Sequence, residues 1–315
     1  MIKTNYTFED NKLILENHGR RTLPQIMKML NKSNLTYTAF RSKCQRMGLF
    51  RDKHCVRIPH KEYNFHNQDY WKHPTLENCY FSGLIAADGC IFVDKKSNGF
   101  NFSYKLAKKD EILLDNLSKA LDFNGRKIIS FNKSPHSNNI SELREIRINC
   151  FDQNAKYLKE HFNIEPCKTF RLGPINLKEK DFILAFIIGF IDGDGSIETN
   201  KTHLAISFNS SADKLINWIK EKMDEYFPWS LRGFSNIRKQ ERDNCYQFYI
   251  HGTRAAIIFD TLSKFNVPKL ARKWENPKAL AYLEQQKLKY PELFVPKLIS
   301  SPVQSALLNE NALLV

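Results

Sequence analysis

"FSGLIAADGCI" fills Phe81–Ile91 and "IIGFIDGDGSI" fills Ile187–Ile197. Overlaid, they pair Gly83 with Gly189, Ile85 with Ile191, Asp88 with Asp194 and Gly89 with Gly195, always 106 apart (194 − 88). Each stretch is an apolar helical run, too short to cross a bilayer, that ends in Asp-Gly and leads into strand-like alternation. A carboxylate at the C-terminal end of a helix faces the negative end of the backbone dipole. One such acid is harmless. Two in equivalent places ask for a shared counter-charge.

The repeat continues beyond the motif. "FSYKLAKKDEILLDNL" (Phe102–Leu117) aligns with "LAISFNSSADKLINWI" (Leu204–Ile219) at an offset of 102 (204 − 102). Helical patterns follow over residues 110–121 and 212–226. Next come paired strand patterns, "RKIISFN" with "REIRINC" and "SLRGFSNIRK" with "CYQFYIHG", and closing helices over 152–162 and 253–265. A helix-led unit with four antiparallel strands therefore occurs twice, and the fold class is α+β. The spacing of small residues supports this. Gly83 with Ala87, and Gly189 with Gly193, each lie one turn apart and predict two helices in close approach. Gly89 and Gly195 are expected to take left-handed helix caps.

Over roughly residues 76–290 the sequence resembles the LAGLIDADG homing endonuclease family in its two-motif, single-chain form. The resemblance implies a pseudo-twofold pair of αββαββα units whose antiparallel sheets form a saddle over DNA. It also implies Mg²⁺, two or more ions, held by Asp88 and Asp194 with Ala87 and Gly193 beside them; Ca²⁺ would substitute without cleavage. Lys108 and Ser210 after the second strand of each half, with Lys168 in "PCKTF" and Lys273 in "ARKWE", match polar or cationic positions around such a centre. One departure stands out: Ala86 replaces the first motif acid, which copy two keeps as Asp192. The implied activity is site-specific double-strand DNA cleavage by a monomer at a long asymmetric target. A cleavage-inactive DNA-binding regulator or an RNA maturase on the same fold is the alternative.

Composition agrees with a polyanionic partner. The 315 residues carry a formal charge of +14, which attracts nucleic acid or an acidic membrane surface. Residues 1–60 alone hold 12 basic against 4 acidic side chains. Helix signals there start at Thr7 with Asp10, at Thr22 with Gln25, and near Thr36 to Thr38, with Gly48 expected to cap the third helix. On the third helix Phe40, Cys44 and Met47 face inward, leaving Arg41, Lys43, Gln45 and Arg46 outward. This resembles a Myb-like helix-turn-helix over about 45 residues, implying major-groove contact.

Residues 1–50 are thus expected as a DNA-binding domain and 51–75 as a basic linker, either a tether along phosphates or a strap packed by its aromatics. Residues 76–175 and 176–290 are the two halves, joined through 174–181, and 291–315 are a tail. Alternation along the later strands turns Arg147, Asn149, Arg232, Arg238, Gln247 and Tyr249 outward as candidate base readers. The seven cysteines form no CxxC pair, which argues against zinc and for a reducing compartment. The N-terminus lacks an apolar signal core, so an intracellular location, cytoplasmic or nucleoid-associated, is expected.

Overall fold

The computed structural model describes residues 6–17, 23–32, 35–47, 49, 64–94, 99–133, 140–200, 203–227, 236–240 and 244–294. The chain divides into two units, Met1–Glu62 and Tyr63–Val315.

In the first unit, α1 (Phe8–Asn17) opens with the expected reciprocal cap. The Thr7 amide donates to Asp10 Oδ2 at 2.7 Å, and the Asp10 amide to Thr7 Oγ1 at 3.1 Å. Two helices follow, α2 (Leu23–Leu30) and α3 (Tyr37–Arg46). Ile14, Ile26, Leu30, Phe40 and Cys44 are buried together, with Met47 and Leu49 packed against them. The Leu49 amide returns to the Cys44 carbonyl at 3.0 Å. Thr22 and Gly48, named above as cap residues, lie outside the described residues.

The second unit is built on the repeat. Its first half runs α4 (Leu76–Asp88), β1 (Cys90–Val93), β2 (Phe100–Ala107), α5 (Glu111–Ala120), β3 (Ile128–Lys133), β4 (Ile140–Ile148) and α6 (Asp152–Phe162). The second half runs α7 (Lys180–Gly193), β5 (Ser196–Asn200), β6 (His203–Ser210), α8 (Asp213–Tyr226), β7 (Arg238–Gln240), β8 (Cys245–His251) and α9 (Gly252–Ser263). A short α10 (Ala271–Trp274) and α11 (Pro277–Lys289) close the described chain, apart from one last turn. Both sheets are four-stranded and antiparallel, in the orders β1-β2-β4-β3 and β5-β6-β8-β7. This is the doubled αββαββα arrangement that the repeat predicts.

One face of each sheet is apolar and covered. Phe102, Tyr104, Ile146 and Ile148 are buried in the first sheet, and Leu204, Ile206, Phe208, Phe248 and Ile250 in the second. The helix α7 is apolar all round because it packs on α4 and on both halves. Its Phe186 ring meets Phe162 of α6 at 6.1 Å and Trp218 of α8 at 6.1 Å.

Two expectations change, and one open alternative closes. The offset of 102 is two residues out in the second strands. Ile91 pairs with Phe102 and Ile197 with Ile206, so the counterpart of Phe102 is Ile206. The first half takes up the difference in a 3-10 turn, Lys108–Asp110, before α5. Ser210 therefore matches Leu106, not Lys108. Second, Gly89 is not left-handed: its φ is −71°, and Gly252 is the only described glycine with positive φ. Glycine is needed at both helix ends for space. A Cβ on Gly89 would lie 2.8 Å from Ile85 Cα, and one on Gly195 would lie 2.8 Å from the Ser207 carbonyl oxygen.

Residues 64–75 are a strap rather than a tether. Phe65 and Trp71 are fully buried in the core of the first half. The Trp71 indole donates to the Asn78 carbonyl at 3.1 Å.

Candidate active site

Gly83 and Gly189 set the approach of the two motif helices. A Cβ on Gly83 would stand 2.0 Å from the Phe186 carbonyl oxygen, and one on Gly189 would stand 1.9 Å from that of Tyr80. Backbone therefore meets backbone, as a small residue on each face permits. Farther along the same seam, a Cβ on Gly193 would meet Ala87 Cβ at 2.3 Å and Asp88 Oδ2 at 3.3 Å. The two helices end side by side.

Asp88 and Asp194 sit at those ends, solvent-accessible. Among the described residues neither carboxylate has a hydrogen-bond or ion-pair partner. Crowding by surrounding protein raises the pKa of both. Asp194 is pushed up to about 6, first by burial and then by the charge of Asp88, against the opposing pull of Lys168 and Lys273. Two like charges at two negative dipole ends oppose each other's ionisation.

The two lysines lie beside them. Lys168 Nζ donates to the carbonyls of Ala86 at 2.6 Å and Ala87 at 3.0 Å. Lys273 Nζ donates to those of Ile191, Asp192 and Gly195 at 2.7, 2.8 and 2.9 Å. Each ammonium thus caps the C-terminal end of one motif helix, satisfying carbonyls that lack intrahelical partners. Burial lowers the pKa of Lys168, and brings that of Lys273 to about 8. Lys168 is aimed by Cys167, a non-glycine residue at φ 60°, an unusual backbone state held by its surroundings.

Asp192, the motif acid of copy two, has a different task. It is 4% exposed. Its Oδ2 accepts from Tyr80 Oη at 2.8 Å and from the Leu270 amide at 3.0 Å, and its Oδ1 from Trp274 Nε1 at 2.8 Å. It ties α4, α7 and the α10 segment together. Ala86, its counterpart, makes no such link.

Lys108 and Ser210 make other contacts. Lys108 pairs with Glu142 at 2.9 Å. Ser210 Oγ accepts from the Ala212 amide at 3.1 Å, at the start of α8. No sequence pattern singles out Asp110 or Arg272. Asp110 stands at the N-cap of α5 but makes no capping bond. Instead it takes Arg272 Nε and Nη2, both at 2.8 Å, across the seam. Asp110 was hidden because an acid before a helix reads as a cap.

Residues 181–260 match the profile of a LAGLIDADG-like domain. The match falls within the second half, from α7 to α9, and makes that part of the chain LAGLIDADG-like. No curated protein matches. Solved structures similar to this chain include the homing endonuclease I-WcaI bound to its DNA recognition sequence, 15% identical over 66% of this chain and 91% of that one, TM-score 0.45. I-DmoI in complex with DNA and Ca is 16% identical over 70% and 100%, TM-score 0.42. Full-length DUF199/WhiA from Thermatoga maritima is 17% identical over 78% and 71%, TM-score 0.40.

The outward residues of the two sheets lie on the faces opposite the helices. Arg147 and Asn149 are exposed, as is Arg238, while Gln247 and Tyr249 are half-buried. Gln247 accepts from Gln240 Nε2 at 2.6 Å, and Tyr249 stacks on His251 with ring centroids 5.5 Å apart. In the three-helix unit Arg41 and Arg46 are exposed, and Lys43 lies over the Tyr6 ring at 5.2 Å. Arg232 and the side chain of Gln45 lie outside the described residues. Among the described residues no helix is long and apolar enough to cross a membrane.

Proposed function

We propose that this chain is a site-specific double-strand DNA endonuclease, hydrolysing phosphodiesters with divalent metal held by Asp88 and Asp194. The observation that carries the reading is the pair of open, unpartnered carboxylates brought together at the ends of two helices, where the charge of Asp88 raises the cost of ionising Asp194. The donor set fits a hard cation. Among the described residues no cluster of three or more His, Cys, Asp or Glu is close enough to hold an ion. Two carboxylates, water and substrate oxygens are what Mg²⁺ accepts. When bound, such ions supply Lewis acidity and charge neutralisation at the phosphodiester.

The chain's own residues prepare that site. Lys168 and Lys273 neutralise the helix carbonyls and fix the ends that carry the acids. The Ala87 carbonyl, which the resemblance places beside the metal, already accepts one bond from Lys168 and keeps its second lone pair. Gly193 lets Asp88 approach the opposite helix. Arg272 occupies both oxygens of Asp110 and offsets part of the charge of this third acid, which still opposes ionisation of Asp88.

Both half-sites belong to one chain, so a monomer suffices, and the divergence of the halves favours a long asymmetric target. Outward residues of the two sheets would contact the grooves, and Arg41, Lys43, Gln45 and Arg46 of the first unit would add flanking contacts.

Cleavage of a randomised duplex library tests the reading. Cutting at a defined site is expected in Mg²⁺ and none in EDTA, with Ca²⁺ supporting binding alone. Tight duplex binding without cutting in Mg²⁺ or Mn²⁺ would hand the protein to the regulator class.

A further inference from the structure

The outer face of the first sheet holds a carboxylate that solvent hardly reaches. Glu145 points to the same side as Arg147, yet it is 2% exposed. Ser103 Oγ donates to its Oε1 at 2.7 Å, and Lys105 Nζ lies 3.4 Å from its Oε2. Arg147 covers the rest, with Nε on Oε1 and Nη2 3.3 Å from Oε2. An ion pair on an open sheet face adds little stability, and a carboxylate stripped of water costs some. What this arrangement does achieve is to fix Arg147.

The guanidinium is held side-on through Nε and one Nη2 hydrogen. Its end-on edge, formed by Nη1 and the second Nη2 hydrogen, has no partner among the described residues, and the side chain is 58% exposed. The backbone is fixed as well. Asn64 Nδ2 donates to the Arg147 carbonyl at 2.6 Å, and Asn64 Oδ1 accepts from the Asn149 amide at 3.4 Å. Asn64 thereby fills the edge of β4 beyond Glu145, where pairing with β3 begins at Ile128. The ladder puts Arg147 opposite Ser103, and Ser103 opposite Cys90, two residues after Asp88. Arg147 therefore lies in the row that leads to the candidate cleavage centre.

We propose that Glu145 is a positioning residue that buttresses Arg147 to read a guanine in the major groove of the half-site bound by the first sheet. The inference rests on the DNA-recognition reading above and names the base that one of its residues selects. Guanine alone presents N7 and O6 as paired acceptors, the complement of a guanidinium edge with two parallel N–H groups. A lysine there keeps the charge and loses the fork. The second half has no equivalent. By strand register Glu145 and Arg147 correspond to Gln247 and Tyr249, since Ile148 pairs with Phe102 as Ile250 pairs with Ile206. The guanine is thus required on one side of the target only.

The test selects binding sites for the full chain from a randomised duplex library in EDTA, which holds cleavage off. Arg147→Lys, Arg147→Ala and Glu145→Gln are run beside wild type, with thermal melts to show that all are folded. Wild type should enrich a guanine at one position without a mirror-image counterpart. Arg147→Lys should lower that preference by about ten- to a hundredfold with an unchanged salt slope. Glu145→Gln should weaken the same preference while raising affinity for non-specific duplex, because a negative charge leaves the face. A purely structural or electrostatic Glu145 does not produce those opposed changes.

An enriched site whose base profile in Arg147→Lys and Glu145→Gln is unchanged from wild type overturns the inference alone. So does a uniform loss over all sequences in Arg147→Ala with the salt slope reduced by about one, the mark of a phosphate contact. If wild type enriches no site, the DNA-recognition reading fails and takes this one with it.

Discussion

Alanine at Gly83 or Gly189 should remove at least about 3 kcal/mol of stability from the two-half unit. That is a large fraction of the 5–15 kcal/mol of a typical domain. The methyl group would stand 2.0 Å from one backbone carbonyl oxygen or 1.9 Å from the other. Neither contact can be relieved by a side-chain rotamer, so the helices must separate. Separation uncovers a largely apolar seam and withdraws Asp192 from Tyr80. Gly173→Ala is the control, because a Cβ there meets nothing within 4 Å, and a change within about 0.5 kcal/mol is expected. Urea and thermal denaturation read both. A Gly83→Ala protein as stable as wild type would mean that the helices are not in backbone contact.

Asparagine at Asp88 or Asp194 should lower double-strand cleavage on the order of 10³-fold or more, with duplex binding largely retained. The amide keeps the shape and the place at the helix end while removing the charge. The same change should make the metal-free protein slightly more stable at neutral pH. Asp194 titrates near 6 in the fold against an ordinary value of 3.8, so the folded state holds its proton more tightly than the unfolded chain does. The stabilising contribution is complete below about pH 4 and is lost as pH rises through about 6. At pH 7 and above the ionised acid opposes folding. The carboxylate is solvent-accessible and partly screened, which leaves about 1 kcal/mol, or about 2 °C in Tm. Asp194→Asn should therefore melt higher than wild type at pH 7.5 in EDTA and equally at pH 4. A lower Tm at both pH values would mean that the acid has a structural partner.

The repeated motif made the fold legible, because small residues, apolar runs and terminal acids recur in register and only close pairing of two helices uses all three. The motif acids are legible for the same reason. Lys168 and Lys273 are visible as candidates through the resemblance alone, since their carbonyl partners lie some 80 residues away in sequence and no local pattern links them. Asp192 looks like one acid of a motif, and only three-dimensional packing reveals Tyr80, the Leu270 amide and Trp274 around it. Asp110 and Glu145 stayed hidden for a related reason: one reads as a helix cap and the other as an ordinary outward strand residue, and each is redefined by an arginine. The two-residue slip in the second strands arose because a 3-10 turn ahead of α5 absorbs residues that a gapless comparison assigns to the strand.

Anomalous scattering from Mn²⁺ in crystals of the wild-type chain with duplex DNA tests most directly whether the two helix ends form one metal centre. Peaks are expected at the seam, with carboxylate oxygens of both Asp88 and Asp194 about 2 Å from bound ions. Peaks only elsewhere on the protein, or two acids turned apart with no ion at either, would contradict it.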